Sequence, residues 1–249
     1  MASVATRLAG APIEVSPVGY DRTVALQPSL QRELLALLDY PMENLATELK
    51  DWLDLGDKSE RANVARELIA LANYGGGYLL FGFRDASSGW HPTEACPHDL
   101  KYYSQDAINN ILKSHSEPVF ECYTYHLEST GGNQHVVVRV PGGHTAPIRS
   151  RGGPPASRLI DHCYYIRRPG PESAPPDTGH EWDELITRCV DNNRERQLEG
   201  FRRIVDLLRG SPEVAQAIAD TAAGAADPLT RWADESIGRL QQLGDGGNG

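Results

Sequence analysis

Glu43, Glu48 and Lys50 stand close together in this chain, and Asp85 closes an apolar run that begins at Tyr78. Carboxylates gathered at the end of a strand can hold Mg²⁺ or Mn²⁺, orient a water and neutralise the charge that builds on a phosphodiester. A lysine beside them can bind the phosphate. The plain alternative is that Glu43 is a solvated helix-end charge and that Glu48 and Lys50 form a surface pair worth roughly 0.2 to 1 kcal/mol. Positions five apart face different ways on a helix and on a strand alike, so Glu43 and Glu48 converge only if the chain bends between them.

Other residue types point to phosphate less directly. Gly75-Gly76-Gly77 could present backbone N–H groups to an anion. No Gly-Lys-Ser/Thr follows it, however, and a glycine run after a helix is ordinarily a C-cap and turn. The 249-residue chain carries a net charge of −10, which argues against indiscriminate coating of a polyanion. That charge is segregated. Arg139, Arg149, Arg151, Arg158, Arg167 and Arg168 face a single acid, Asp161, across their segment, whereas fifteen acids outnumber eight arginines beyond Pro171. The basic segment could meet a phosphate backbone or simply solvate loops. Arg149 and Arg151 share one side of a Gly-rich stretch, and Arg167 and Arg168 fall on opposite sides of an extended one. Cys96, His98, His162 and Cys163 have poor spacing for zinc.

These residues need elements to position them. Residues 1–28 read as an irregular arm with Pro12, Pro17 and Pro28. A short helix follows, with Leu30, Leu34, Leu37 and Leu38 at helical spacing, stopped by Pro41. ATELKDWL alternates as a strand would, with Glu48 and Lys50 on one side and Leu49 on the other. The next helix, capped by Asp57 or Ser59, carries Val64, Leu68, Ile69, Leu71 and Ala72 on its apolar face. Tyr78–Phe83 is apolar enough to be a central strand covered on both faces, with Asp85 at its exit. A helix is expected near Ser104–Lys113, strands over 119–127 and 135–140 joined by a hairpin turn, and a strand at Cys163–Ile166. Glu181–Leu208 has helical spacing, as two helices or one. The domain is thus expected over 29–190, with an acidic helical extension over 191–249 whose GDGGNG end is disordered. No window is apolar enough to span a membrane, no secretory signal is visible, and the cysteines are scattered, so a cytoplasmic protein with reduced thiols is expected.

Glu43, Glu48-Leu49-Lys50, the Ala72-Asn73-Tyr74-Gly75-Gly76-Gly77 run into an apolar strand, and Tyr164-Tyr165-Ile166-Arg167 occur in an order that resembles the Schlafen and AlbA-like domain family. Leu49 replaces the commoner Phe, and Arg84 stands where a small or acidic residue is frequent. The resemblance covers about 30–190 and implies an α+β fold with a mixed β-sheet, flanking helices and here a C-terminal helical extension. It also implies action on nucleic acid. In the vertebrate Schlafen core, a metal-dependent RNA endonuclease built from two such lobes, three acids do the work, and Glu43, Glu48 and Asp85 match them. That comparison makes these three the candidate ligands for Mg or Mn and the candidate catalytic residues together with Lys50. Arg84, Arg149, Arg151, Arg167 and Arg168 are the candidate nucleic-acid contacts, and the two-lobed family core implies a homodimer that supplies the second lobe. Bacterial members resemble DNA-binding or nucleotide-binding regulators, so a non-catalytic DNA-binding module and a nucleotide-binding sensor stand beside the nuclease.

Overall fold

The apolar run after the triple glycine becomes the strand around which the fold is layered. A computed structural model describes residues 26–210 together with Pro212, Gln216 and Asp220. Most of the expected N-terminal arm and the expected disordered end lie outside the described residues. The chain divides into two units, residues 1–193 and 194–249. In chain order the elements are helix α1 (Pro28–Asp39), strand β1 (Thr47–Lys50), helix α2 (Lys58–Tyr74), strand β2 (Gly77–Phe81) and the hairpin β3 (Phe83–Ala86) and β4 (Gly89–Pro92). A short 3-10 turn (Leu100–Tyr103) leads to α3 (Gln105–His115) and then β5 (Ser116–Glu117), β6 (Tyr123–Glu128), β7 (Gln134–Val140) and β8 (Arg149–Arg151). Strands β9 (Asp161–Tyr164), β10 (Ile166–Arg168) and β11 (Glu172–Ala174) precede a long helix, α4 (Gly179–Gly210).

The main sheet has the order β1-β2-β7-β6, with β1 parallel to β2 and the other pairs antiparallel. It is a mixed sheet in an α+β fold. Successive side chains of a strand point to opposite faces, and β2 and β7 are apolar on both. Leu79, Phe81, Val136, Val138 and Val140 pack with α2 and α3, while Leu80, Val137 and Leu49 pack with Leu34 and Leu38 of α1. Each fully buried Leu or Val side chain contributes about 1.5–3 kcal/mol of transfer free energy, so the sheet must be covered on both sides. Three smaller sheets, β5-β8-β9, β10-β11 and β3-β4, surround this core.

Helix α2 is the crossover between the parallel strands. Asp57 caps it, accepting from the backbone N–H of Ser59 at 2.7 Å and of Glu60 at 3.1 Å. Gly75 ends it at φ +125°, its N–H donating back to the carbonyls of Leu71 and Ala72. The next two glycines serve close packing. A Cβ on Gly77 would lie 2.2 Å from the backbone oxygen of Ala46, and one on Gly76 would lie 2.8 Å from the backbone nitrogen of Gly142. The run is therefore a helix stop joined to a three-way meeting of backbones.

Two expected strands are each divided in the structure. The apolar run breaks at Gly82, φ +93°, where a Cβ would meet the His135 ring and Trp52 at 2.9 Å. Beyond it the chain leaves the main sheet and turns into the β3-β4 hairpin. The tyrosine-rich strand likewise splits at Tyr165, with β9 pairing β8 and β10 pairing β11. Tyr165 is buried there, its hydroxyl donating to the Arg158 carbonyl and accepting from the Ile160 N–H. Glu181–Leu208, by contrast, falls within the one helix α4.

Candidate functional site

Asn44 and Thr47 exchange backbone hydrogen bonds across a tight turn at Leu45-Ala46. This is the bend that Glu43 and Glu48 require. It folds Glu43 back over β1, where its Oε1 accepts from the Leu49 N–H at 3.3 Å. Glu48 and Lys50 share one face of β1 and are hydrogen-bonded to each other. That face meets β10, and Arg167 arrives there from the far end of the domain.

Arg167 is buried, and its fork closes the site. Nη1 donates to Glu48 Oε2 at 2.6 Å and to Ser173 Oγ of β11 at 3.0 Å, Nη2 donates to the Asn44 carbonyl at 3.0 Å, and Nη1 lies 3.6 Å from Glu67 Oε2. Glu67, on the buried side of α2, accepts from Arg66 Nη2 at 2.7 Å. Three acids (Glu43, Glu48, Glu67) thus stand among three bases (Lys50, Arg66, Arg167), and the local charge balances. Burial foremost, then the neighbouring Glu48 charge, pushes the Glu43 carboxyl above the usual carboxylate value. Burial also acts to raise Glu67, but the charges of Arg66 and Lys50 and hydrogen bonds from Ser173 and Arg66 outweigh it and hold its pKa low.

Asp85 does not join this cluster. Because the chain turns out of the main sheet at Gly82, Asp85 lies within the exposed β3-β4 hairpin, opposite Trp90. Of the expected three acids, Glu43 and Glu48 thus lie together at β1, and Asp85 lies in the separate β3-β4 sheet. Among the described residues, no three of His, Cys, Asp and Glu are gathered as a metal ion would require, and this includes the cysteine–histidine set. Nor does the acid–base cluster offer a fit for Mg²⁺ or Mn²⁺. Both Glu48 oxygens and one Glu67 oxygen are engaged by guanidinium or ammonium groups. A divalent cation would have to enter among three positive charges and displace them.

The candidate arginines also sort by their partners. Arg167 is enclosed and cannot reach a phosphate backbone. Arg168 grips the start of α4, donating from Nε to Glu181 at 2.6 Å and pairing with Asp177 at 2.7 Å, an arrangement that pushes Glu181 down to about 2. Arg84 Nε pairs with Asp51 at 2.9 Å, and Arg149 pairs with Glu117 at 2.7 Å and contacts His162. Arg151 is exposed and has no side-chain partner among the described residues.

Glu67, Arg66, Ser173 and Asn44 belong to the site without having been marked by their spacing. Glu67 did leave a trace: it lies three after Val64 and four before Leu71, on the apolar stripe of α2, where an ionised side chain needs a partner. Asn73, the Asn of the Ala-Asn-x-x-Gly-Gly run, is a clamp. Its amide donates to the carbonyls of Ile148 and Tyr165 at 2.8 and 2.9 Å and accepts from the Ile148 N–H at 2.8 Å.

Comparison with known proteins places this arrangement. The Schlafen, AlbA_2 family model matches residues 43–173, a span that holds the turn at Leu45-Ala46, both glycine-linked elements and every member of the charge cluster. No curated protein matches. Among solved structures, a Corynebacterium diphtheriae protein is 14% identical with a TM-score of 0.42, the match covering 62% of this chain and 31% of that one. The present chain therefore spans under a third of that protein. The N-terminal domain of a Nitrosomonas europaea protein, described by its relation to the ATP-dependent DNA helicase RecG, is 23% identical with a TM-score of 0.39, covering 59% of this chain and 94% of that domain. With the family model matching more than half of its length, this chain belongs to the Schlafen/AlbA_2 domain family.

Proposed function

We propose that this chain is a non-catalytic nucleic-acid-binding module that contacts phosphate through exposed, unpaired cations. The observation that carries this reading is the engagement of Glu48 by Arg167 and Lys50, which makes the acidic cluster a charge-balanced brace between β1, α2 and β10. Family membership supports the nucleic-acid part, and the unpartnered Arg151 beside the Gly-rich turn supports the use of surface charge. The metal-dependent RNA endonuclease, and the homodimer its two lobes would demand, is the competing reading.

Labelled tRNA, single-stranded DNA and duplex DNA are incubated with purified protein in Mn²⁺ or in EDTA, beside a Glu48→Gln variant whose fold is checked by circular dichroism. The expected result is salt-sensitive binding with intact nucleic acid in every lane. Mn²⁺-dependent cleavage that a folded Glu48→Gln protein loses would overturn the proposal in favour of the nuclease, and a dimer by light scattering would add the second lobe that the nuclease needs. Absence of binding to all three substrates at low salt would remove the nucleic-acid reading altogether.

A further inference from the structure

The domain contains a further cleft, at the start of α2, in which the charged lining residues are all basic. It has a volume of about 440 Å³ and opens between the start of α2, one side of α3 and the turn that follows β8. None of its lining residues is acidic. Lys58 and Arg61 line it from α2, three residues apart and so on one helix face. Neither side chain has an ion-pair partner among the described residues. Two neighbouring cations without ion-pair partners repel each other and favour an anion held between them. Of the acids beside them in sequence, Asp57 caps α2 and Asp54 accepts from the Gly56 N–H at 2.9 Å, while Glu60 precedes Arg61 and is not among the residues that line the cleft.

The other walls suit the remainder of a nucleotide. His115 has its Nδ1 2.7 Å from the Gly152 carbonyl, which orients the ring and leaves Nε2 uncommitted. Tyr102 and Ile111 add aromatic and apolar surface on which a base could lie. The cleft that borders Arg167, about 370 Å³, differs in kind, because two glutamates, Glu181 and Glu184, line it beside Arg167 and Arg188. Of these two clefts, the first alone combines unbalanced positive charge with an aromatic wall, at a volume within the range of small-ligand sites.

We infer that the α2-α3 cleft binds a nucleoside phosphate, either one nucleotide of a strand or a free nucleotide, with Lys58 and Arg61 on the phosphate and Tyr102 against the base. The choice of ligand rests on the nucleic-acid reading above. It would also give this chain a strand-holding pocket apart from the Arg151 surface.

The test measures binding of a fluorescent mononucleotide and of a short oligothymidylate to the wild type, to Lys58→Ala/Arg61→Ala and to Arg151→Ala, with the charge-reversed Lys58→Glu as a second cleft variant. The double variant is expected to lose about tenfold or more in affinity for whichever ligand the wild type binds. If that ligand is the strand, the salt slope should also become shallower by roughly 1.4, as for two lost phosphate contacts. Arg151→Ala should leave mononucleotide binding unchanged. Mononucleotide binding without strand binding would support the cleft with a free nucleotide as its ligand and defeat the wider nucleic-acid reading. Strand binding that both cleft variants retain in full, with no mononucleotide bound, would overturn the cleft and leave the wider reading standing. Failure of the wild type to bind either ligand would overturn both.

Discussion

Arg167 and Glu48 are separated by 119 positions in the chain and meet at 2.6 Å, both buried, on the seam between β1 and β10. A charge pair withdrawn from water is stable only when its partners are hydrogen-bonded, and here Lys50, Ser173 and the Asn44 carbonyl supply further bonds, while Arg167 Nε has none among the described residues. Arg167→Ala should destabilise the domain by about 3–5 kcal/mol, because it strands Glu48 with only Lys50 beside it. Arg167→Lys should recover part of that, since an ammonium lacks the guanidinium fork that reaches several acceptors at once. Urea denaturation of the two variants and of the Glu48→Gln/Arg167→Ala double variant measures the coupling.

Acid should weaken the protein in two stages. Burial, foremost, holds His126, His135 and His144 below the ordinary 6.5. The unfolded chain therefore takes up protons at pH values where the native state resists them, and this stability is full above about 6.5 and lost as the pH falls toward the folded values. Glu67, depressed below 4.5, adds stability that is full above that value and is lost as the pH drops through its folded pKa. Among the described residues the Nε2 of buried His135 has no hydrogen-bond partner, and burial outweighs the Phe81 carbonyl and the Asp39 charge that favour its proton. Denaturant midpoints followed from about pH 7 to pH 3 should show both stages, and His135→Gln should flatten the upper one.

Glu43 has the opposite sign. Its carboxyl is raised, so its ionised form opposes folding above its folded pKa. Glu43→Gln retains an acceptor for the Leu49 N–H and should match or exceed the wild-type melting temperature at neutral pH. A clear loss there would show that the ionised carboxylate is needed.

Gly77→Ala should cost about 1–3 kcal/mol or more, because its Cβ would lie 2.2 Å from a backbone oxygen that no side-chain rotation can move. Gly89→Ala, at a hairpin turn with open space around it, has only its φ of +107° to contend with and should be milder. Thermal melts of the two variants rank them.

Surface arginines should separate in a salt titration of duplex DNA binding. Arg151→Ala is expected to reduce the slope of log K against log salt by about 0.9, one phosphate contact, while Arg84→Ala and Arg168→Ala leave it unchanged because those side chains already serve Asp51 and Glu181. Equal slopes for all three would discard Arg151 as a contact.

The amino-acid sequence by itself determined the layered α+β plan, because apolar periodicity and caps are local: a strand apolar on both faces, helices on either side, and a glycine stop after Asn73 can be read within short windows. It also specified the Schlafen/AlbA_2 motif and the need for a bend between Glu43 and Glu48, which the turn at Leu45-Ala46 supplies. Where each charge ends was decided only in three dimensions. Gly82 carries Asp85 away from Glu43 and Glu48, and the split at Tyr165 delivers Arg167 to them. Glu67 enters from a helix whose spacing marked only its apolar residues. Pairing between charges depends on distance in space, and positions 48, 67 and 167 come within reach of one another only when the sheets close around α2.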